Sequence, residues 1–551
     1  MRTNFTLIMA LLLSIVSGLQ AQTRFLDPMF EVGAPSTEVY GANVDVFLQA
    51  VNNLEIDVYQ PVDEDRESLR PVVVVFPTGN FLLQYLNRGA FGSRKDSAAV
   101  TIINEVVSRG YVGMVAEYRS GWLPTSTVQD IRTATLLQAA YRGGQDAHTL
   151  ARYLRKTVVE EGNPMQIDTN RIVFMGLGTG GYVALTHAFL SDVDEVLADE
   201  RFYDVNDQPY VDLAINADPQ GTLPAFFDPA TMTSPSNIPN HVGYNSEVAM
   251  CVNIGGALGD IDWMTGAEGE PITLGYHSPS DIFAPFSAGN VVVPTTGDIV
   301  IPGVAGTESI VEKANMLGLN DAIASANEVA LPAIYSGLSR AVNAVNAQYK
   351  QVDVDLTALG QAAVVDLSHD NMFPMSVGDT RTPTRTVSSP FNWMDSTRVR
   401  AEITGFNAAF GQEISADDVI NNEIQTNPNA YDGAGARLVL DTIMAHFLPR
   451  AFIGMELETL VSTSTEDLIS DSSIGLEVFP NPANVGFTVQ TEVGHPIRTI
   501  RVMDMNGRVV LNMTDVNATS QFVNRGNLPR GAYILQLHLD EGTTARKLIL
   551  D

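Results

Sequence analysis

The chain has 551 residues, 45% of them hydrophobic and 17% charged, with a formal net charge of −32 at pH 7. That composition excludes a disordered chain, and the length exceeds one ordinary core, so two or more domains are expected. A surface this acidic repels phosphate backbones and anionic lipid, which makes nucleic acid and anionic membranes poor partners.

The chain opens MRTNFTLIMALLLSIVSGLQAQ. Arg2 is its only charge, and an apolar run follows, closed by Ser17, Gly18 and Ala21. This reads as a secretory signal peptide over residues 1–21, too short in its apolar core for a transmembrane span. No later segment reads as a span. The single cysteine, Cys251, permits no intrachain disulfide. It lies in the apolar run AMCVNIGGAL, which predicts a buried, inert thiol.

From about residue 40 to 290, strand and helix patterns alternate. VDVFL and LEIDVYQP read as a paired antiparallel start. RPVVVVFPTGNF is a continuous apolar run of the buried parallel type. AVTIINEVVSRG predicts a helix ending at Gly110, and YVGMVAEYR the next strand. In DAHTLARYLRKTVVEEG, Ala147, Leu150, Ala151, Leu154 and Val158 share one face, which predicts an amphipathic helix. Residues 72–76, 112–117, 172–175 and 251–255 are expected to be neighbouring parallel strands. Helices on both sheet faces follow from the repeated β-α-β units.

RIVFMGLGTGGYVALTHAF, residues 171–189, reads as a buried strand, a glycine turn and a helix. A nucleophilic serine rides on such a turn in the pattern G-x-S-x-G, lifted above the sheet in a strained conformation. Gly176, Thr179, Gly180 and Gly181 fit the pattern, but Gly178 stands where the serine would be. Glycine relieves the strain and offers no attacking oxygen. Gly176, Gly178 and Gly181 also satisfy G-x-G-x-x-G, yet they sit late in the domain, against a dinucleotide site. No His-x-x-x-His, cysteine pair or calcium-loop spacing occurs, so no metal and no cofactor are expected.

Beyond residue 290 the pattern loosens. SIVEKANMLGL and ALPAIYSGLSRAVNAVNAQYK look helical, residues 380–432 read as polar and loop-rich, and GARLVLDTIMAHFLPRA predicts a closing helix. Residues 457–475, rich in Ser, Thr and acid, have linker composition. From 476 to 551, short alternating runs split by Gly, Asn and Pro predict a small β-sandwich.

Over residues 40–290 the chain resembles the secreted carboxylesterase and lipase-like α/β-hydrolases. The resemblance rests on RPVVVVFPTGNF, SRGYVGMVAEYRSGW, AAYRGGQDAHTLARYL and IDTNRIVFMGLGTGG, in that order. It implies an α/β-hydrolase fold over residues 22–456, with a late insertion. It also implies an oxyanion loop at PTGNF, where Pro77 lacks an N–H, so that Gly79, Asn80 and Thr179 become the candidate donors. In LGYHSPSDIFAPF it maps the triad acid onto Asp281, with His277 as a structural residue. His369, in VVDLSHDNMFPM, is the candidate triad histidine, and His446 reads as buried packing. VFPNPA, DMNGRVV, LPRGAYILQL and KLIL resemble the type A sorting domain of the type IX secretion system. Pro480, Asn481, Pro482, Asp504, Gly507, Gly531, Tyr533, Lys547 and Leu548 carry that match. It implies a bacterium of the Bacteroidetes kind, the type IX machinery as partner, and release or surface attachment after passage through the periplasm.

Two functions are expected to compete. One is a secreted or surface-attached esterase-like protein that has lost serine catalysis and binds a small ester or surface ligand, or scaffolds. The other is an active carboxylesterase or lipase-like hydrolase with an unorthodox nucleophile.

Overall fold

The computed structural model describes residues 23–47, 50–62, 69–226, 235–293, 297–327, 370–375, 387–460, 474–503, 509–514, 516–526, 528–539 and 542–551. The expected signal peptide, the expected helix over 330–350, His369, most of the linker, Asp504 and Gly507 lie outside these. The chain divides into two compact units, Met1–Leu460 and Val461–Asp551.

An eight-stranded sheet organises the first unit. Its strands are β1 (Ser36–Asp45), β2 (Ala50–Tyr59), β3 (Arg70–Phe76), β4 (Val112–Ala116), β5 (Ile167–Leu177), β6 (Met250–Ile254), β7 (Ile272–His277) and β8 (Met372–Pro374). Their order is β8-β7-β6-β5-β3-β4-β2-β1. Every pair from β8 to β4 is parallel, while β4/β2 and β2/β1 are antiparallel. Strands β3, β4 and β6 are buried along their whole length, because both sheet faces are covered. The four strands expected to be parallel neighbours are so.

Alternation along the strands separates the two faces. Val72, Val74, Val112 and Met114 enter the main core with Leu150 and Leu154. These leucines belong to α2 (Gln129–Glu160), whose 32 residues run well beyond the amphipathic stretch legible in the sequence. The same face carries α3 (Thr179–Phe189) and α4 (Thr307–Met316). Helix α2 meets α3 closely, since a Cβ on Gly143 would lie 2.6 Å from Val183. The other face carries α1 (Ser97–Val107), where Ile103 sits 2.7 Å from the place of a Gly113 Cβ. It also carries α7 (Gly433–Gly454), whose His446 packs on Tyr276.

The region expected to be loop-rich is a correction. It contains α5 (Ser396–Phe410) and α6 (Ala416–Thr426). Only Val399 and Ile403 of α5, and Val419 and Ile420 of α6, are buried, so their apolar periodicity is thin. Their caps are clear in the structure: Asp395 accepts from Thr397 and Arg398, Ser415 accepts from Asp418, and a left-handed Gly411 ends α5. Both helices pack on Tyr85, Ala90 and Phe91 in a small cluster separate from the main core.

The second unit holds two antiparallel sheets. Glu477–Phe479, Gly486–Gln490 and Ser520–Asn524 form one, and Ile497–Met503, Val509–Met513, Gly531–Leu539 and Gly542–Leu550 form the other. Phe487, Val489, Ile500, Leu535 and Leu537 are among its buried core. Asn481 clamps the last strand: its Nδ2 donates to Lys547 O at 2.8 Å and its Oδ1 accepts from Ile549 N at 2.9 Å.

Candidate active site

Gly178 sits between β5 and α3 with φ 54° and ψ −116°. The turn keeps the strained backbone of a nucleophile elbow, in a region that glycine alone enters freely. Its N–H donates to Ile254 O at 2.8 Å, which ties the apex to β6. The flanking glycines are required by contact, since a Cβ on Gly180 would lie 2.0 Å from Phe76 O. A Cβ on Gly178 would lie 2.5 Å from Thr78 Oγ1 and 3.1 Å from Thr78 Cβ. Thr78 therefore occupies the space through which a side chain at the apex would leave.

The loop after β3 is turned back on itself, with positive φ at Gly79 (151°), Asn80 (56°) and Phe81 (51°). The N–H of Asn80 donates to Thr179 Oγ1 at 3.1 Å. Thr179 Oγ1 is 3.1 Å from the Tyr118 hydroxyl, which itself donates to Pro77 O at 2.7 Å. With the tyrosine proton so committed, the Thr179 hydroxyl donates to Tyr118. The result is a one-way chain from Asn80 N–H through Thr179 and Tyr118 to Pro77 O. It consumes one of the three candidate oxyanion donors and ties up the threonine hydroxyl beside the apex. Burial pushes the Tyr118 phenol up, against the opposing hydrogen bond from Thr179, so it holds its proton.

Asp281 follows β7 and is buried. Its Oδ1 accepts from Phe283 N at 2.7 Å, and its Oδ2 lies 3.4 Å from His277 Nε2. That approach is an ion-pair distance without hydrogen-bond geometry, since His277 Nε2 has no hydrogen-bond partner. The other nitrogen, Nδ1, is 2.7 Å from Thr307 Oγ1, which accepts from Asn253 Nδ2 at 2.8 Å. His277 and Asp281 are thus neighbours within a buried polar chain. His446 is fully buried, with Nδ1 2.9 Å from the Tyr276 hydroxyl, and burial lowers its pKa well below the usual imidazole value.

The YR and QDA motifs meet as structure. Arg119 N and Nε donate to Asp146 Oδ2 and Oδ1 at 2.8 and 2.9 Å, both side chains being buried. The pair fixes the loop after β4 to α2.

A cleft of about 690 Å³ opens beside Pro77, Thr78 and Gly79, between their loop and α5. One wall is aromatic: Tyr85 and Phe406 have ring centroids 5.8 Å apart, and Phe406 and Phe410 4.7 Å apart. On the cleft lining, Arg94 contacts Asp57 at 2.6 Å and Glu117 at 3.6 Å, while Arg398 contacts Glu402 at 3.2 Å. Tyr85 donates to Glu402 at 2.6 Å. Sequence reasoning missed this cleft and the Thr78 contact, because both join segments far apart in the chain. Among the described residues, no group of three or more His, Cys, Asp or Glu is placed to hold a metal.

The secretion system C-terminal sorting domain family matches residues 477–551, so the C-terminal unit is a sorting domain of that kind. Among solved structures, the chain is similar to esterase 2 of Thermogutta terrifontis. The paraoxon-phosphorylated form is 18% identical with a TM-score of 0.27, over 46% of this chain and 74% of that one. The propionate-bound form is 17% identical with a TM-score of 0.26, over 46% and 75%. The native form is 17% identical with a TM-score of 0.26, over 49% and 77%. No curated protein matches the chain in sequence. The parallel sheet order and the glycine turn after β5 make the first unit an α/β-hydrolase fold.

Proposed function

We propose that this protein is an exported, esterase-like α/β-hydrolase-fold protein that binds or scaffolds and does not hydrolyse esters through a serine. The sorting domain implies contact with the type IX secretion system and a secreted or cell-surface destination. One observation carries the non-hydrolytic reading: Thr78 fills the exit of an apex that is itself glycine. Two others support it. Asn80 N–H, an oxyanion candidate, is already bonded to Thr179. The elbow leaves the carboxyl edge of the sheet, and the sequence after β8 has no histidine before His446. His369, the triad candidate, precedes β8 in the chain. Asp281 remains the proposed counterpart of the acid, with His277 as its buried neighbour.

The test is labelling by a fluorophosphonate together with hydrolysis of short p-nitrophenyl esters. Loss of a triad nucleophile removes on the order of 10⁶ in kcat. The wild type should show neither labelling nor a burst. Gly178→Ser alone should also fail, because the new Cβ meets Thr78. Thr78→Gly with Gly178→Ser should admit the hydroxyl, with weak labelling at best. Esterase turnover in the wild type would overturn the reading in favour of the unorthodox hydrolase.

A further inference from the structure

From the cleft beside the closed elbow, we infer that the ligand is an uncharged oligosaccharide, held by the Tyr85–Phe406–Phe410 aromatic wall together with the Arg94 and Arg398 ion pairs on the same lining. This rests on the binding reading above.

Charge comes first. The ionisable side chains lining the cleft balance: Arg94, Lys95 and Arg398 against Asp57, Glu117 and Glu402. Arg94 is held by Asp57 and Glu117, and Arg398 by Glu402. A cation would have to displace a guanidinium from one of these pairs, and the chain's net charge of −32 opposes the approach of an anion to the exposed Lys95.

The ion pairs also discriminate among neutral ligands. Glu117 keeps 38% of its side-chain surface exposed and Arg94 18%, so both still touch water. An acyl chain laid over them would strip that water and return no hydrogen bond, which is costly for charged groups. A row of hydroxyls replaces the water as both donor and acceptor. Ser93 and Ser120, also on the lining, extend the polar side.

The aromatic side chains of the lining suit the apolar face of a sugar. Phe406 and Phe410 lie tilted by 38°, and the Tyr85 and Phe406 planes meet at 74°. Aromatic faces carry negative charge that favours the polarised C–H bonds of a pyranose. Phe410 is 66% exposed although it lines the cleft, and Leu83, also on the lining, is 45% exposed. Leu83 and Phe410, with the half-buried Phe406, give the lining of the cleft an exposed apolar surface, and grooves lined in this way are ligand-binding surfaces. A cleft open to solvent also accepts a chain, of which only a few rings lie inside.

The experiment is calorimetric titration of the full chain with cellohexaose, xylohexaose and mannohexaose, with decanoate as the acyl carboxylate comparison. At least one hexasaccharide should bind, with an affinity that holds between low and high salt. Phe410→Ala removes the outermost ring and should weaken binding by roughly tenfold or more. Phe410→Tyr should retain it. Both variants should melt like the wild type, because the ring is exposed. Absence of binding by all three sugars, tighter binding of decanoate, or sugar binding indifferent to Phe410→Ala would each overturn the assignment. Ester hydrolysis by the wild type, with sugar binding still lost in Phe410→Ala, would remove the non-hydrolytic reading and leave the cleft assignment standing.

Discussion

At Gly178, the backbone angles alone would cost a side-chain-bearing residue about 1–3 kcal/mol, and the 2.5 Å approach to Thr78 Oγ1 adds to that. Gly178→Ala should therefore lower stability in urea, and Thr78→Gly should recover part of the loss in the double variant. Equal losses in both backgrounds would show that Thr78 does not restrict the apex. The glycine at the apex was legible in the sequence. Thr78 above it was not, because the contact joins positions a hundred residues apart and leaves no local pattern. A second residue-scale device lies between α2 and α3, where His148 and His187 have ring centroids 4.2 Å apart. Burial lowers both, His187 to about 3. A lowered imidazole takes up its proton in the unfolded chain first, so its contribution is complete above about pH 6.5 and is lost as pH falls toward 3. The urea midpoint should drop from pH 6.5 to 4, and His187→Gln, which keeps a donor for Ser246 O, should flatten that slope.

Among the elements, β3, β4 and β6 declared themselves as apolar runs because the sheet is covered on both faces. Helices α5 and α6 did not, because they bury only two residues each and rest on a loop rather than on the main core. Their attachment carries two carboxyls, Asp96 buried and Glu423 half-buried. Glu423 of α6 accepts from Ala90 N at 2.8 Å, and Asp96 accepts from Gly92 N at 2.7 Å. Burial raises each to about 7, and for Glu423 the nearby Asp96 adds to the rise. A raised carboxyl favours the docked state while protonated, so its support is whole below about pH 4 and fades as pH rises through 7. Hydrogen exchange across 396–426 should accelerate from pH 5 to 8 beyond its intrinsic rate, and Glu423→Gln should reduce the difference. The Arg119–Asp146 pair joins α2 to the loop after β4. Asp146→Ala leaves a buried guanidinium uncompensated and should cost about 3–5 kcal/mol by urea unfolding.

For the whole molecule, the two compact units meet at Leu460 and Val461, inside the stretch 457–475 whose composition reads as a linker, and the C-terminal β-rich unit was legible as turns between short alternating runs. The cleft was not legible, because it is assembled from β2, the loop after β3, the loop after β4 and α5. Removal of residues 476–551 should leave the first unit folded, with an unchanged melting profile, and abolish its appearance outside the cell. Fractionation that finds the truncated chain outside would refute the sorting role. Cys251 lies fully buried in β6, and burial pushes its thiol up to about 12. The native protein is therefore silent to maleimides while folded. A cysteine in place of Ala409, exposed on the cleft lining next to the Phe410 ring it leaves intact, would be the single reactive handle on 551 residues, and an environment-sensitive dye attached there would report directly, by its emission, when the cleft fills and empties.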